Sequence, residues 1–202
     1  MPRVGFVISE RAGGLTSERM EEFEHARRRL ESAVGAQVET VHYAELDGLD
    51  ADAVVLSGSF DPWVLHDPDE LARFEEALRQ REGPLLGICA GMQTLVRAAG
   101  GQIGAAAAPV AARYGAVDVL DDSDLLRGVE RRPVVFQKHT DEVRSLPPDF
   151  RVLASSPACA VEAVAARGRP WWGTQFHPEA WTGEHPSGRL ILENFFRLAG
   201  IG

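Results

Sequence analysis

Cys89 stands where a strand should meet a helix, a setting that could make it a nucleophile. It belongs to the segment LLGICAGMQ at residues 85–93, in which a buried apolar run passes directly into a helical one. A sharp strand-to-helix turn projects the side chain out of a sheet, and Gly87 and Gly91 permit the tight backbone. The helix N-terminus favours a thiolate, and its first free N–H groups, beginning at Ala90, could bind a developing oxyanion. The pattern predicts a nucleophile rather than a buried structural cysteine.

A cysteine nucleophile needs a base, and His177 is the best placed of six histidines. It follows the apolar run at residues 171–176, so it should lie at the end of a sheet strand, where the active sites of α/β proteins collect. Pro178 restricts His177 to an extended backbone, in which residues two apart point the same way. His177 and Glu179 should therefore share a face, so that the carboxylate orients the imidazole.

Two further polar segments follow predicted strands. The sequence SGSF at residues 57–60 could aim a backbone N–H at the same site, although by itself it is an ordinary turn. The sequence QKHTDEV at residues 137–143 contains His139, Asp141 and Glu142, which together suggest metal ligands. No second His or Cys stands at ligand spacing, so no metal site is expected. The sequence also has no glycine-rich phosphate-binding motif, and no nucleotide cofactor is expected.

The elements that must position these residues alternate between short strands and helices in the first half of the chain. Apolar runs predict strands at residues 4–8, 38–41, 53–56 and 84–88, and helical spacing predicts helices at 17–34, at 91–99 and after an N-cap at Asp67. Further strands are predicted at residues 116–120, 133–136, 151–154, 159–165 and 171–176, before a closing helix capped by Ser187. This order predicts an α/β fold: an open, mostly parallel twisted sheet with helices on both faces and a strand-rich second half.

Length, charge and composition disfavour several classes of protein. A chain of 202 residues without a Pro/Ser-rich tract is expected to form one domain over residues 1–202. A net charge of −9 repels phosphate backbones, so nucleic-acid binding is not expected. No apolar run reaches the roughly 18 residues of a membrane span, and the N-terminus lacks the apolar core of a signal peptide. Two cysteines cannot form a disulfide framework, so we expect a cytoplasmic protein.

Two motifs carry a resemblance to a known family. The segments GICAGMQ at residues 87–93 and GTQFHPE at 173–179, in this order, resemble the class I (triad) glutamine amidotransferases. The resemblance runs from about residue 53 to the C-terminus, whereas earlier residues match only in their strand–helix–strand pattern. Within the family, the sequences YG at 114–115, HTDEV at 139–143 and LASS at 153–156 are most similar to the glutaminase portion of GMP synthetase.

The resemblance implies hydrolysis of L-glutamine by a triad without a cofactor. Cys89 resembles the nucleophile, His177 the general base and acid, and Glu179 the partner that orients the imidazole. The implied substrate-binding residues are Gly58, Ser59 and Ala90 at the oxyanion positions, and Gln93, His139, Thr140 and Asp141 around bound glutamine. The ammonia would pass to a separate ATP-dependent synthetase subunit, such as the ATP pyrophosphatase of a GMP synthetase.

The sequence departs from the family in two places near the nucleophile. The loop that usually has Ser-Gly-Gly-Pro is SGSF at residues 57–60, and Ala90 stands where Tyr or Leu is common. These changes could suit a larger substrate, so a stand-alone γ-glutamyl hydrolase with the same triad is one alternative. A catalytically silent regulatory subunit that binds glutamine is another.

Overall fold

Ten strands and four helices build the protein, and the structure, a computed structural model, describes residues 2–201. The helices are α1 (Ser17–Val34), α2 (Pro68–Gln80), α3 (Ala90–Ala98) and α4 (Ser187–Leu198). The strands are β1 (Val4–Ile8), β2 (Val38–His42), β3 (Ala53–Leu56), β4 (Leu85–Ile88), β5 (Gln102–Ala116), β6 (Asp118–Val119), β7 (Val134–Ser145), β8 (Phe150–Ser155), β9 (Ala163–Ala166) and β10 (Trp171–Thr174).

Eight of the strands form one sheet in the order β2-β1-β3-β4-β10-β9-β8-β6. The five from β2 to β10 pair in parallel, and β9, β8 and β6 extend the sheet with antiparallel pairs. The remaining strands, β5 and β7, pair with each other as a separate antiparallel ribbon. The predicted α/β class, with a mostly parallel sheet and a strand-rich second half, is confirmed.

Apolar side chains cover both faces of the sheet because alternate residues of its strands point to opposite sides. On one face, Phe6 of β1 belongs to a buried cluster with Leu30 of α1 and Phe195 of α4. On the other face, Val7 of the same strand joins a cluster with Leu78 of α2. Helices therefore pack on both sides, as α/β sheets with buried parallel strands require.

Local capping signals set the starts of the first two helices. The Thr16 hydroxyl accepts a hydrogen bond from the Arg19 backbone N–H at the start of α1. The Asp67 carboxylate accepts two, from the backbone N–H groups of Asp69 and Glu70, as predicted for the N-cap of α2. Ser187, by contrast, does not cap α4, because it is already the first helical residue and its hydroxyl contacts Glu130 instead.

The β5–β7 ribbon is the main departure from the prediction. Residues 102–116 gave no strand signal, because the segment is rich in alanine and most of its residues are exposed on both faces. The strand predicted at 133–136 extends to Ser145, so the polar cluster at 137–143 lies within β7 rather than in a loop. The strand predicted at 116–120 shrinks to the two residues of β6, and that at 159–165 begins only at Ala163. Pairing between two distant segments, not local pattern, creates this ribbon.

The sheet brings three predicted site segments to one edge. Strands β3, β4 and β10 are parallel neighbours, so the segments after their carboxyl ends meet there. Ser57 follows β3, Cys89 follows β4, and His177 lies just beyond β10. Ligand sites in open α/β sheets occur at this edge. Within residues 2–201, no helix combines the length and apolar character needed to span a bilayer.

A substitution at Gly188 of α4 can test how tightly the segment after His177 is packed. A Cβ at Gly188 would lie 2.2 Å from the Pro178 carbonyl oxygen, so Gly188→Ala forces backbone to move. We expect this variant to lose roughly 1–3 kcal/mol of unfolding free energy, despite the better helix propensity of alanine. Denaturant titration followed by circular dichroism measures the change. The matched control is Gly183→Ala, where a Cβ meets nothing within 4 Å. Equal stability of the two variants would contradict the packing argument.

Candidate active site

Cys89 sits at a strained bend between β4 and α3. Its φ of 52° and ψ of −110° make it the one non-glycine residue with positive φ among the described residues. Such a conformation costs about 1–3 kcal/mol and persists only where the surroundings impose it. The two flanking glycines impose it here. A Cβ at Gly87 would lie 2.4 Å from the Met92 nitrogen, and one at Gly91 would lie 2.6 Å from the Leu56 carbonyl oxygen. Only glycine therefore lets the strand and helix meet so closely.

The His177 imidazole is held from two sides. Its Nδ1 lies 2.8 Å from Oε1 of Glu179, and its backbone N–H donates to the Phe136 carbonyl of β7 over 2.8 Å. The pairing with Glu179 arises from a tight turn, since residues 178–180 form a short 3₁₀ helix directly after His177. The expectation of a continuing extended backbone was therefore wrong, although the two side chains do meet. The turn leaves Nε2 of His177 available on the side away from the carboxylate.

The pKa of His177 reflects the carboxylate beside it. Burial by itself would lower this pKa, but the charge of Glu179, whose Oε1 lies 2.8 Å from Nδ1 of His177, helps to raise it well above its ordinary value. A raised pKa means that the imidazole favours its protonated form beside the Glu179 carboxylate. The Cys89 thiol lines the same cavity, so a thiol and an imidazole held by a carboxylate share one site.

A buried chain of amide groups also reaches the thiol. Gln175, which is 0% exposed, points its Nε2 at the Cys89 Sγ over 3.5 Å. Its Oε1 accepts from Gln93 Nε2 over 3.1 Å, and Gln93 Oε1 accepts in turn from the Trp63 indole over 2.8 Å. Gln93 Nε2 also donates to the Asp141 carbonyl. Sequence reasoning missed Gln175; the one signal for it was an amide side chain beside the apolar Phe176, two residues before the histidine.

The loop after β3 lies against both Cys89 and His177. A Cβ at Gly58 would be 3.1 Å from the His177 Cε1 and 3.5 Å from the Cys89 Cβ, so a side chain here would displace one of them. The backbone N–H groups of Gly58 and Ser59 make no hydrogen bond within residues 2–201. Together with the N–H of Ala90 at the start of α3, they are free to donate to a ligand beside the thiol.

One cavity of about 350 Å³ contains all of the predicted site residues. Its lining includes Cys89, His177, Glu179, Gly58, Ser59, Ala90, Gln93, His139, Thr140 and Asp141. Their appearance in a single cavity does not by itself assign each a role. Within the described part of the chain, no three His, Cys, Asp or Glu side chains are grouped to hold a metal ion.

His139 is the most unusual of the β7 residues in this cavity. It is 5% exposed, and neither ring nitrogen has a hydrogen-bond partner within residues 2–201. Burial lowers the pKa of His139, so a neutral imidazole faces the cavity. A neutral ring can donate from one nitrogen and accept at the other, and buried polar atoms without partners are rare. His139 is therefore available to a bound ligand.

Comparisons with known proteins agree with the geometry. A family model described as glutamine amidotransferase class-I matches residues 20–199. The glutamine-hydrolysing GMP synthase subunit of Thermococcus kodakarensis is 42% identical over 119 residues, which make up 58% of this chain and 61% of that protein. The corresponding subunit of Methanothrix thermoacetophila is 34% identical over 148 residues, or 73% of this chain and 77% of that protein. The match to the first of these relatives thus spans only about three fifths of its length.

A solved structure extends the likeness over nearly the whole chain. A Thermoplasma acidophilum protein assigned as a GMP synthase subunit superposes with a TM-score of 0.83 at 27% sequence identity. The superposition covers 99% of this chain and 95% of that one. It therefore includes the residues before position 20, where the match of the family model begins.

Replacing Glu179 tests the cause of the raised His177 pKa. Glu179→Gln keeps the shape of the side chain and removes its charge, so we expect the pKa of His177 to fall. Titration of the His177 Hε1 signal by NMR measures the change, with the exposed Glu184→Gln as control. A His177 pKa that stays where it is in Glu179→Gln would show that the carboxylate does not set it.

Proposed function

The chain belongs to the class-I glutamine amidotransferase family, and from that premise we propose that it hydrolyses L-glutamine to glutamate and ammonia through a Cys89–His177–Glu179 triad. The observation that carries the proposal is the geometry of the site: Glu179 Oε1 lies 2.8 Å from Nδ1 of His177, and Cys89, at its strained bend, lines the same cavity. In this proposal residues 1–202 act as one amidotransferase domain.

The first half-reaction forms a thioester. The Cys89 thiolate attacks the side-chain amide carbon of glutamine, and the C=O electrons move onto oxygen. Free backbone N–H groups of Gly58, Ser59 and Ala90 are suited to bind that oxyanion. As the C–N bond breaks, His177 gives its proton to the departing nitrogen, which leaves as ammonia. A γ-glutamyl thioester on Cys89 remains.

The second half-reaction returns the enzyme to its starting state. His177, now neutral, takes a proton from water, and the resulting hydroxide attacks the thioester carbonyl. The C–S bond breaks, glutamate leaves and the thiolate pairs again with the imidazolium. Glu179 keeps the imidazole oriented through both steps. Gln175 is suited to stabilise the leaving thiolate, because its amide N–H points at the sulfur.

The cavity wall supplied by β7 is suited to hold the amino-acid end of the substrate. His139 offers two unpartnered ring nitrogens, and Thr140 and Asp141 follow it along the strand. Both amide protons of Gln93 are already used, by Gln175 and by the Asp141 carbonyl. Any contact of Gln93 with glutamine would therefore be made by its Oε1, which has room for a second donor beside the Trp63 indole.

The names of the relatives suggest which subunit accepts the ammonia. Several of them are named as glutamine-hydrolysing GMP synthase subunits, so we infer a separate synthetase subunit that uses the ammonia and ATP. A GMP synthetase ATP-pyrophosphatase subunit is the first partner to test.

Cys89→Ala should abolish glutamine hydrolysis. Loss of a nucleophile of this type lowers kcat by about a thousandfold or more. Cys159→Ala is the matched control, because burial raises the pKa of that thiol to about 12 and keeps it unreactive. Glutamate release measures turnover, and mass spectrometry after treatment with a diazoketone analogue of glutamine locates the label. Turnover by Cys89→Ala within about tenfold of wild type would remove Cys89 as nucleophile.

A partner synthetase should stimulate the reaction. We expect glutamine hydrolysis to rise about tenfold or more when a GMP synthetase ATP-pyrophosphatase subunit is co-purified or added, since docking and catalysis are then coupled. Faster hydrolysis of N-substituted γ-glutamyl amides than of glutamine, with no response to the partner, would instead favour a stand-alone γ-glutamyl hydrolase. Failure of the glutamine analogue to label Cys89 would favour a silent regulatory subunit.

A further inference from the structure

Glu10, two residues beyond β1, is a buried acidic side chain that the proposed reaction does not use. It is 0% exposed, and its Oε2 accepts hydrogen bonds from two consecutive backbone N–H groups of the loop after β3. The donors are Phe60 at 2.6 Å and Asp61 at 3.0 Å. The Ser59 hydroxyl lies 3.2 Å from the same oxygen and 2.9 Å from the Asp61 carbonyl, and its one proton can go to either. Glu10 thus binds this loop through its backbone.

Arg19 lies beside this buried carboxylate, and Arg19 and Arg11 together pair the neighbouring Asp61. Arg19 Nη1 lies 3.7 Å from Glu10 Oε2, and Arg19 Nη2 lies 2.8 Å from the Asp61 carboxylate. Arg11 contacts the same Asp61 carboxylate through Nε at 2.6 Å. A buried carboxylate is tolerated only when it is paired and hydrogen-bonded, and a lone carboxylate would be costly here. The cluster therefore supports Glu10 in the position where it meets the loop.

Phe60 is the residue of the loop that Glu10 holds most closely. Its backbone N–H donates to the Glu10 carboxylate over 2.6 Å, a short, charge-assisted hydrogen bond. The Phe60 ring packs edge-on against Phe23 of α1 at 5.5 Å between centroids, which fixes the other side of the residue. The N–H groups of Gly58 and Ser59, just before it, stay free beside Cys89.

We propose that Glu10 is a positioning residue for the oxyanion site: its carboxylate holds residues 59–61 so that the backbone N–H groups of Gly58 and Ser59 face the oxygen of the attacked amide. Glu10 touches neither the substrate nor the reacting atoms. The inference rests on the proposed glutamine hydrolysis at the same site. An anchor of this kind acts in the transition state, where charge develops on the oxygen, so its loss lowers kcat more than it raises KM.

Glu10→Gln tests the proposal with little change in volume. We expect kcat for glutamine hydrolysis to fall on the order of tenfold, with KM within about threefold of wild type. Alkylation of Cys89 by iodoacetamide forms no oxyanion, so its rate should stay near the wild-type value. Glu21→Gln, at an exposed position on α1, is the matched control and should leave both rates unchanged. The proposal would be overturned if kcat fell by less than about threefold. It would also be overturned if the rate of Cys89 alkylation fell by the same factor as kcat.

Hydrogen exchange gives a readout that needs no turnover. The Phe60 and Asp61 amides should be protected in the wild-type protein, and their protection should fall in Glu10→Gln. Rapid exchange of both amides in the wild-type protein would be enough to overturn the proposal that Glu10 holds this loop. This outcome does not depend on whether Glu10→Gln folds. Absence of glutamine hydrolysis in the wild type, with these amides protected, would instead count against the proposed function and leave the anchor standing.

Discussion

The contact between β4 and α3 is the constraint on which the site depends. Gly87 and Gly91 let the helix begin against the strand so closely that Cys89 is forced to a φ of 52°. The strained residue is maintained by the buried packing on both sides of the sheet, where Leu86 and Met92 belong to opposite apolar clusters. The same bend aims the thiol away from the sheet and exposes the N–H groups that begin α3. The backbone strain, the proposed nucleophile and a proposed oxyanion donor are thus one local feature.

The other parts of the site reach this bend from distant segments of the chain. The β5–β7 ribbon contributes the Phe136 carbonyl that fixes the His177 backbone and the buried imidazole of His139. The loop after β3 contributes its free N–H groups, and the turn after β10 contributes the imidazole with its carboxylate. Each segment is held by hydrogen bonds that do not involve the reacting atoms. A site assembled in this way keeps its geometry before substrate arrives, which is the condition for electrostatic stabilisation of a transition state.

The buried polar groups of the site are organised around two amides and one carboxylate. Gln93 and Gln175 connect the Trp63 indole to the thiol, and Glu10 connects Arg19 to the loop. Such groups cost free energy unless they are paired, so each restricts its neighbours to one arrangement. Trp63, Gln93 and Glu10 lie far apart in sequence. For this reason none of their contacts was predictable from local pattern, although Gln93 itself was singled out by its place in the motif.

The amino-acid sequence by itself determined the features that depend on near neighbours. The caps of α1 and α2, the buried parallel strands, the glycine-flanked Cys89 and the His177–Glu179 pair all follow from residues within a few positions of one another. Tertiary structure alone decided the β5–β7 ribbon, the approach of Gln175 to the thiol and the hold of Glu10 on residues 59–61. In the two side-chain cases the donor and acceptor are 49 to 86 residues apart. Backbone pairing and hydrogen bonds between such distant segments form only when the whole sheet is assembled, because no local run of residue types can specify a distant partner.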